Sequence, residues 1–313
     1  GLGASNAEAA ARMIGELKAL TNHPFNLNVF CPTPAARSLA LEARWIARFQ
    51  EHFDAERSAP PSTLREVYQS FLVGEEMTRL FLATQPRVVS FHFGLPAADT
   101  LQALRAAGII LLCSVTSLSE AQTAVAAGVH ALIAQGYEAG GHRGVFDPSQ
   151  PDDQLSTAAL TQILVRHLDV PVIAAGGIMN GAGIAAVMAL GAAAAQLGTA
   201  FVACDESLAD ARYRAALVGN AGYHTVMTPV ISGRPARCLA NRYTELGRKI
   251  PVEDVPVYPV AYDLAKALNA AASGNNRADY GAHWAGQGAP LARQMPAGAL
   301  MCVLAEELAL ARV

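Results

Sequence analysis

This chain of 313 residues predicts an α/β fold, a parallel barrel of the (β/α)8 type that lacks its first two strands and carries a mostly helical C-terminal cap. Three observations carry the prediction. Short apolar, β-branched runs alternate with helical segments, the pattern of a parallel sheet covered by helices. Two successive strand ends close in small residues that suit phosphate, Gly176 and Gly177, then Gly198 and Thr199. An earlier strand end opens into Gly136, Gly140, Gly141 and Gly144 around a single histidine, His142.

The elements follow in order. A helix over about 6–20 precedes a strand at 25–30 (FNLNVF), and a second helix covers about 34–52. Residues 31–86 are long for one crossover and contain a Pro60-Pro61 break and YQSF at 68–71, so they read as a helical insertion. Strands at 88–93 (VVSFHF), 109–115 (IILLCSV), 131–135, 172–175 and 194–201, the last with its end unsettled, alternate with helices near 97–106, 117–127, 155–168 and 180–190. Such connections are right-handed. Six strands are two short of a closed barrel, and GLGAS at the start reads as a strand exit, so these are expected to be strands three to eight. The glycine turns then follow strands seven and eight, where such barrels bind phosphate. Beyond Phe201 the pattern turns mainly helical, with a loop-rich stretch at 228–260 containing SGRPAR (232–237) and helices near 260–273 and 297–311. The expected division is a barrel over 1–222 and a helical substrate-covering region over 223–313.

Composition excludes several classes. Hydrophobic residues make up 52% and charged residues 16%, which suits a large buried core rather than a disordered chain. A net charge of −3 offers nothing to nucleic acid. Cys31, Cys113, Cys204, Cys238 and Cys302 are scattered without a CxxC pair, so neither a zinc site nor a disulfide framework is expected. With no long apolar span and no leader pattern, a cytoplasmic protein without membrane contact is expected. The oligomeric state is not legible.

Candidate site residues follow from chemistry. His142 lies where glycines admit a ligand, and imidazole titrates near neutrality, so it serves as an acid/base or as an electrostatic anchor. Gly176, Gly177, Gly198 and Thr199 offer backbone N–H groups to an anion. Asn26 and Asn28 share a strand face, and buried amides such as these and Gln135 need partners, from a ligand or from a barrel network. Period-two alternation puts Ser90 and His92 on one face and Phe91 and Phe93 on the other, leaving His92 as either a substrate contact or a core histidine. Arg234 and Arg237 are weaker candidates for contacting an anion, because a loop arginine is usually solvated.

The segments TNHPFNLNVF (21–30), SFHFG (90–94), AQGYEAGGHRG (134–144), AAGGIM (174–179), QLGTAF (196–201), SGRPAR (232–237) and WAGQG (284–288) resemble, in order, those of the nitronate monooxygenases, in the class marked by GGHRG. The resemblance implies an FMN-dependent barrel that uses O2 to denitrify small anionic alkyl nitronates, propionate 3-nitronate among them. It implies FMN contacts at Asn28, Gln135, Gly140, Gly177, Gln196, Leu197, Gly198 and Thr199, with His142 catalytic. It further implies a polar substrate rim at Tyr68, Tyr262 and Lys266. The family's opening strand and A-P-M flavin loop have no match here. The alternatives are an FMN-dependent NADH:quinone or enoyl-thioester reductase and, in another class, a non-catalytic barrel that binds a phosphate ligand.

Overall fold

Asn26, Asn28 and Phe30 point to one side of their strand and buried Leu27 and Val29 to the other, and this alternation sets the architecture. The computed structural model describes all residues except 4, 35, 278, 312 and 313. After helix α1 (Ala7–Leu20) come β1 (Asn26–Phe30), β2 (Val88–His92), β3 (Ile110–Val115) and β4 (Ala131–Gln135). A short β5 (Gly141–His142) lies outside the main sheet, which continues with β6 (Val172–Ala175) and β7 (Ala194–Gln196). The six strands pair in parallel in the order β1-β2-β3-β4-β6-β7. Among the described residues no strand joins β1 to β7, so the curled sheet is open, as the strand count predicts.

Helices α5 (Ala98–Ala106), α6 (Leu118–Ala126), α7 (Thr157–His167) and α8 (Gly181–Ala189) cover the outer face. The starts of α6, α7 and α8 are fixed by side-chain caps from Ser117, Ser156 and Asn180, each accepting a backbone N–H inside the first turn. Leu27, Val89, Phe91, Leu111, Leu132 and Leu160 form the core between sheet and helices. The register Asn28↔Ser90 and Phe30↔His92 sets the polar inner faces of β1 and β2 side by side.

The structure departs from the expected elements in three places. The helix expected over 34–52 is two, α2 (Leu39–Arg48) and α3 (Gln50–Ala55), with a further α4 (Glu76–Thr84) in the insertion. Strand β7 stops at Gln196, because Thr199–Phe201 winds into a 3-10 turn. The loop-rich stretch contains a hairpin, β8 (Thr225–Thr228) and β9 (Ala236–Leu239), and β9 pairs antiparallel with β5 through His142↔Ala236. Helices α9 (Ala211–Val218), α10 (Arg242–Gly247), α11 (Val260–Gly274) and α12 (Ala297–Ala311) complete the chain. Trp45, Phe49 and Phe53 of the insertion share an apolar cluster with Tyr243, Leu264 and Leu268, so the insertion packs on the cap. None of these helices is long and apolar enough to cross a membrane.

Candidate active site

A cavity of about 540 Å³ opens where the main-sheet strands end. Asn28 of β1 and Gln196 at the end of β7 both line it, so the curl of the sheet makes one chamber. The volume falls in the usual range for ligand sites.

His142 is held from two sides. Its carbonyl accepts Gln135 Nε2–H at 2.9 Å and His92 Nε2–H at 3.2 Å, while the β5–β9 pairing fixes its backbone. Its ring packs against Phe93, Tyr258 and Trp284, with centroids 5.7, 5.3 and 5.0 Å away, and ring Nε2 lies 2.8 Å from Ser232 Oγ. Burial, then His92, then Arg234, lower its pKa to about 3. Burial foremost, with Arg234 and Arg143, lowers His92 to about 4 despite the bond to the His142 carbonyl. Both imidazoles are therefore neutral at pH 7, and of the two roles expected for His142 the environment favours a proton acceptor over a cationic anchor.

The arginines expected in solvent are buried. Arg234 lies over the Phe93 ring at 4.4 Å and donates to the Val145 carbonyl, with its Nε unpartnered, and burial lowers its pKa to about 10. Arg237 donates to the Tyr137 carbonyl at 2.9 and 3.1 Å. Neither borders the cavity.

Gln135 spends both ends of its amide on the protein, donating to His142 and accepting Gly144 N–H at 2.7 Å, so it anchors the His142 loop. Asn26 and Asn28 each donate to Ser90 Oγ at 2.8 Å. A Cβ on Gly140 would meet Gly286 N at 2.4 Å and Ala285 C at 2.6 Å, so glycine is needed there for close approach to the 285–286 segment.

Gly176 and Gly177 turn with φ of +127° and +69°. Among the described residues no backbone hydrogen bond is donated by Gly176, Gly177 or Gly198. A Cβ on Gly198 would meet nothing within 4 Å, and the Thr199 hydroxyl accepts Gly286 N–H at 3.0 Å. These free amides on an open wall suit an anionic group.

Tyr68 and Tyr262 border the cavity with their rings edge to face at 5.8 Å. Lys266 Nζ lies 4.5 and 4.9 Å from the two ring centres, but on the far side of the tyrosines rather than on the cavity wall. Leu197 also turns away, into the apolar groups around Met179 and Ile178. Gln196, Gly198, Thr199, His92 and Gly140 all reach the chamber. Tyr258, Trp284, Ser232 and the influence of Arg234 were missed as site features. Trp284 and Ser232 lie inside segments already singled out, but their contacts with His142 span 142 and 90 positions, which no local pattern reports.

The chain matches the nitronate monooxygenase family over residues 1–307. The chain belongs to the nitronate monooxygenase family. It is 54% identical over 308 residues to a nitronate monooxygenase of Paraburkholderia phytofirmans, covering 98% of this chain and 84% of that protein. It is 45% identical over 304 residues to a nitronate monooxygenase of Pseudomonas aeruginosa, covering 97% and 87%. The solved structure of a nitroalkane oxidase from Streptomyces ansochromogenes superposes with a TM-score of 0.90 at 38% identity, covering 99% of this chain and 87% of that one. As a nitronate monooxygenase family member the chain implies a flavin cofactor. The chamber fits one: its volume, the free glycine amides and the open wall at Gly198 are what a ring system with an anionic tail requires.

Proposed function

We propose that this protein is an FMN-dependent monooxygenase that oxidises small alkyl nitronates with O2, releasing the nitro group and leaving an oxo compound, with propionate 3-nitronate a fitting substrate. The observation that carries the reading is a neutral, half-buried imidazole, His142, packed against Phe93, Tyr258 and Trp284 and bordering the same chamber as the free amides of Gly176, Gly177 and Gly198.

In this reading the amides of the two glycine turns hold the FMN phosphate, and Asn28, Gln196 and Thr199 border the rest of the cofactor. FMN, when bound, supplies one-electron oxidation and the meeting with dioxygen. His142 takes the α-proton of a neutral nitroalkane; the C–H electron pair moves into the C=N bond of the nitronate, and an imidazolium results. A preformed nitronate skips that step. The Tyr68 and Tyr262 hydroxyls donate to the oxygens of the anion, with Lys266 behind their rings adding positive potential. Phe93, Tyr258 and Trp284 shield the reacting carbon from water. We place the enzyme in the cytoplasm, acting on a small molecule without nucleic-acid or membrane partners.

The test is an absorption spectrum of the purified protein followed by oxygen uptake and nitrite formation on adding propionate 3-nitronate. Flavin colour with nitronate-dependent oxygen uptake is expected. A flavin-loaded protein that ignores nitronates and is reduced anaerobically by NADH would move it to the reductases.

A further inference from the structure

We propose that Ser232 is a positioning residue that decides which nitrogen of His142 accepts the substrate proton, an inference that rests on the role given to His142 above. Ser232 is fully buried behind the imidazole and does not border the cavity. Its hydroxyl donates to the Arg234 carbonyl at 3.3 Å, and its Oγ lies 2.8 Å from His142 Nε2. A hydroxyl has one proton. With that proton on the Arg234 carbonyl, Oγ can only accept from the ring, so Nε2 carries the hydrogen and Nδ1 keeps its lone pair. Ring Nδ1 makes no hydrogen bond among the described residues, and His142 borders the chamber.

The serine cannot easily drift. Gly233 turns with φ +93°, its N–H donates to the Pro229 carbonyl at 2.8 Å, and a Cβ there would meet Pro256 O and Tyr258 N at 2.5 Å. The same turn leads into β9, where Ala236 pairs with His142 and the Pro235 carbonyl accepts Arg143 N–H at 2.8 Å. Backbone and ring of His142 are thus both referenced to one hairpin, so the base nitrogen is fixed relative to the cavity. On proton transfer Nδ1 gains the substrate's proton, Nε2–H stays on Ser232, and the C–H pair enters the nitronate.

Ring-labelled 15N-histidine spectra of the flavin-bound protein, with His142→Gln to assign the signal, read the tautomer directly. The expected result is hydrogen on Nε2 in the wild type and in Ser232→Thr, and a mixture or the Nδ1–H form in Ser232→Ala. Flavin content should stay unchanged, kcat/KM for a neutral nitroalkane should fall about tenfold in Ser232→Ala and recover in Ser232→Thr, and kcat/KM for the preformed nitronate should hold. A merely structural serine would lower both substrates together. A wild-type His142 with its hydrogen on Nδ1 overturns the proposal even if Ser232→Ala does not fold. So does a folded Ser232→Ala with wild-type tautomer and nitroalkane kcat/KM. A wild-type protein inactive on both substrates overturns instead the functional reading, while the tautomer still decides what Ser232 does to the ring.

Discussion

His142 owes its neutrality to burial, to the neighbouring His92 and to Arg234, which donates to the Val145 carbonyl, lies over the Phe93 face and is drawn toward Glu120 and Asp147. Tyr258 is the other titratable group against the ring, and burial raises its pKa, so it remains a neutral phenol. A base held this way works well below the ordinary histidine range. The acid limb of kcat/KM for a neutral nitroalkane should therefore lie well under about 6.5, and a limb at that ordinary value would contradict the geometry. His142→Ala should keep its flavin, since the glycine turns are untouched, yet lose about 10²- to 10⁴-fold in turnover with the neutral nitroalkane. The loss with preformed nitronate should be smaller, and equal wild-type rates on both forms would remove His142 from the mechanism. The same shifts carry a stability consequence. The folded pKa values of about 3 and about 4 for His142 and His92 lie below the unfolded value of about 6.5. As pH falls, the unfolded chain takes up protons first, so this stability is whole above about 6.5 and drains away toward the folded values. Urea unfolding of His92→Gln/His142→Gln across that window should show a flatter decline than wild type. His142 was legible because glycines flank it in sequence. Arg234 was not, because a loop arginine looks solvated until the fold places a phenylalanine beneath it.

Strand-sized elements were legible where both faces obey a local rule. Residues 131–135 and 172–175 were bounded correctly because fully apolar runs end abruptly in Gln135 and in Gly176. The hairpin of β8 and β9 escaped because two four-residue strands, one ending before Pro229 and one beginning after Pro235, carry little periodicity, and β5, at two residues, carries none. Its pairing partner lies 94 positions away. That hidden sheet makes Gly140 an element-level constraint rather than a ligand contact alone. Gly140→Ala would drive a methyl into Gly286 N and Ala285 C, both backbone, so the β5 loop and the Trp284 segment must move apart. Overpacking of this kind costs about 1–3 kcal/mol, and for a chain of this size a lower Tm should accompany a weaker Trp284–His142 contact. Thermal melts and nitroalkane turnover check it: an Ala variant with unchanged Tm and rate would show that the two segments are not in contact.

At the scale of the whole molecule, the proposed cofactor site is braced by the cap as well as by the sheet. The turn after β6 leads into α8, and α12 docks on α8 through Glu307, which accepts Gly181 N–H at 2.8 Å and pairs with Arg293 at 2.7 Å. A Cβ on Gly181 would meet Leu308 N at 2.2 Å, so the helices touch at backbone distance. Leu300 and Leu304 are buried with Met179, just beyond the glycine turn, each adding about 1.5–3 kcal/mol to the docking. The open sheet itself was legible from the count of strands; this bracing was not, because α12 is apolar on more than one face and its sequence names no partner. The glycine turns so braced make a cofactor-level prediction that separates FMN from its dephosphorylated form. Hydrogen bonds from amides to a charged phosphate are worth about 1.5–3 kcal/mol each. Two of them suffice for FMN to bind on the order of a hundredfold tighter than riboflavin. Flavin-stripped protein should therefore melt lower than the FMN complex, by the equivalent of about 2.7 kcal/mol once FMN exceeds its Kd a hundredfold. Riboflavin at the same concentration should recover little of that difference. Melting the stripped protein with each flavin reads this without any turnover, and equal stabilisation by the two would show that Gly176, Gly177 and Gly198 hold no phosphate.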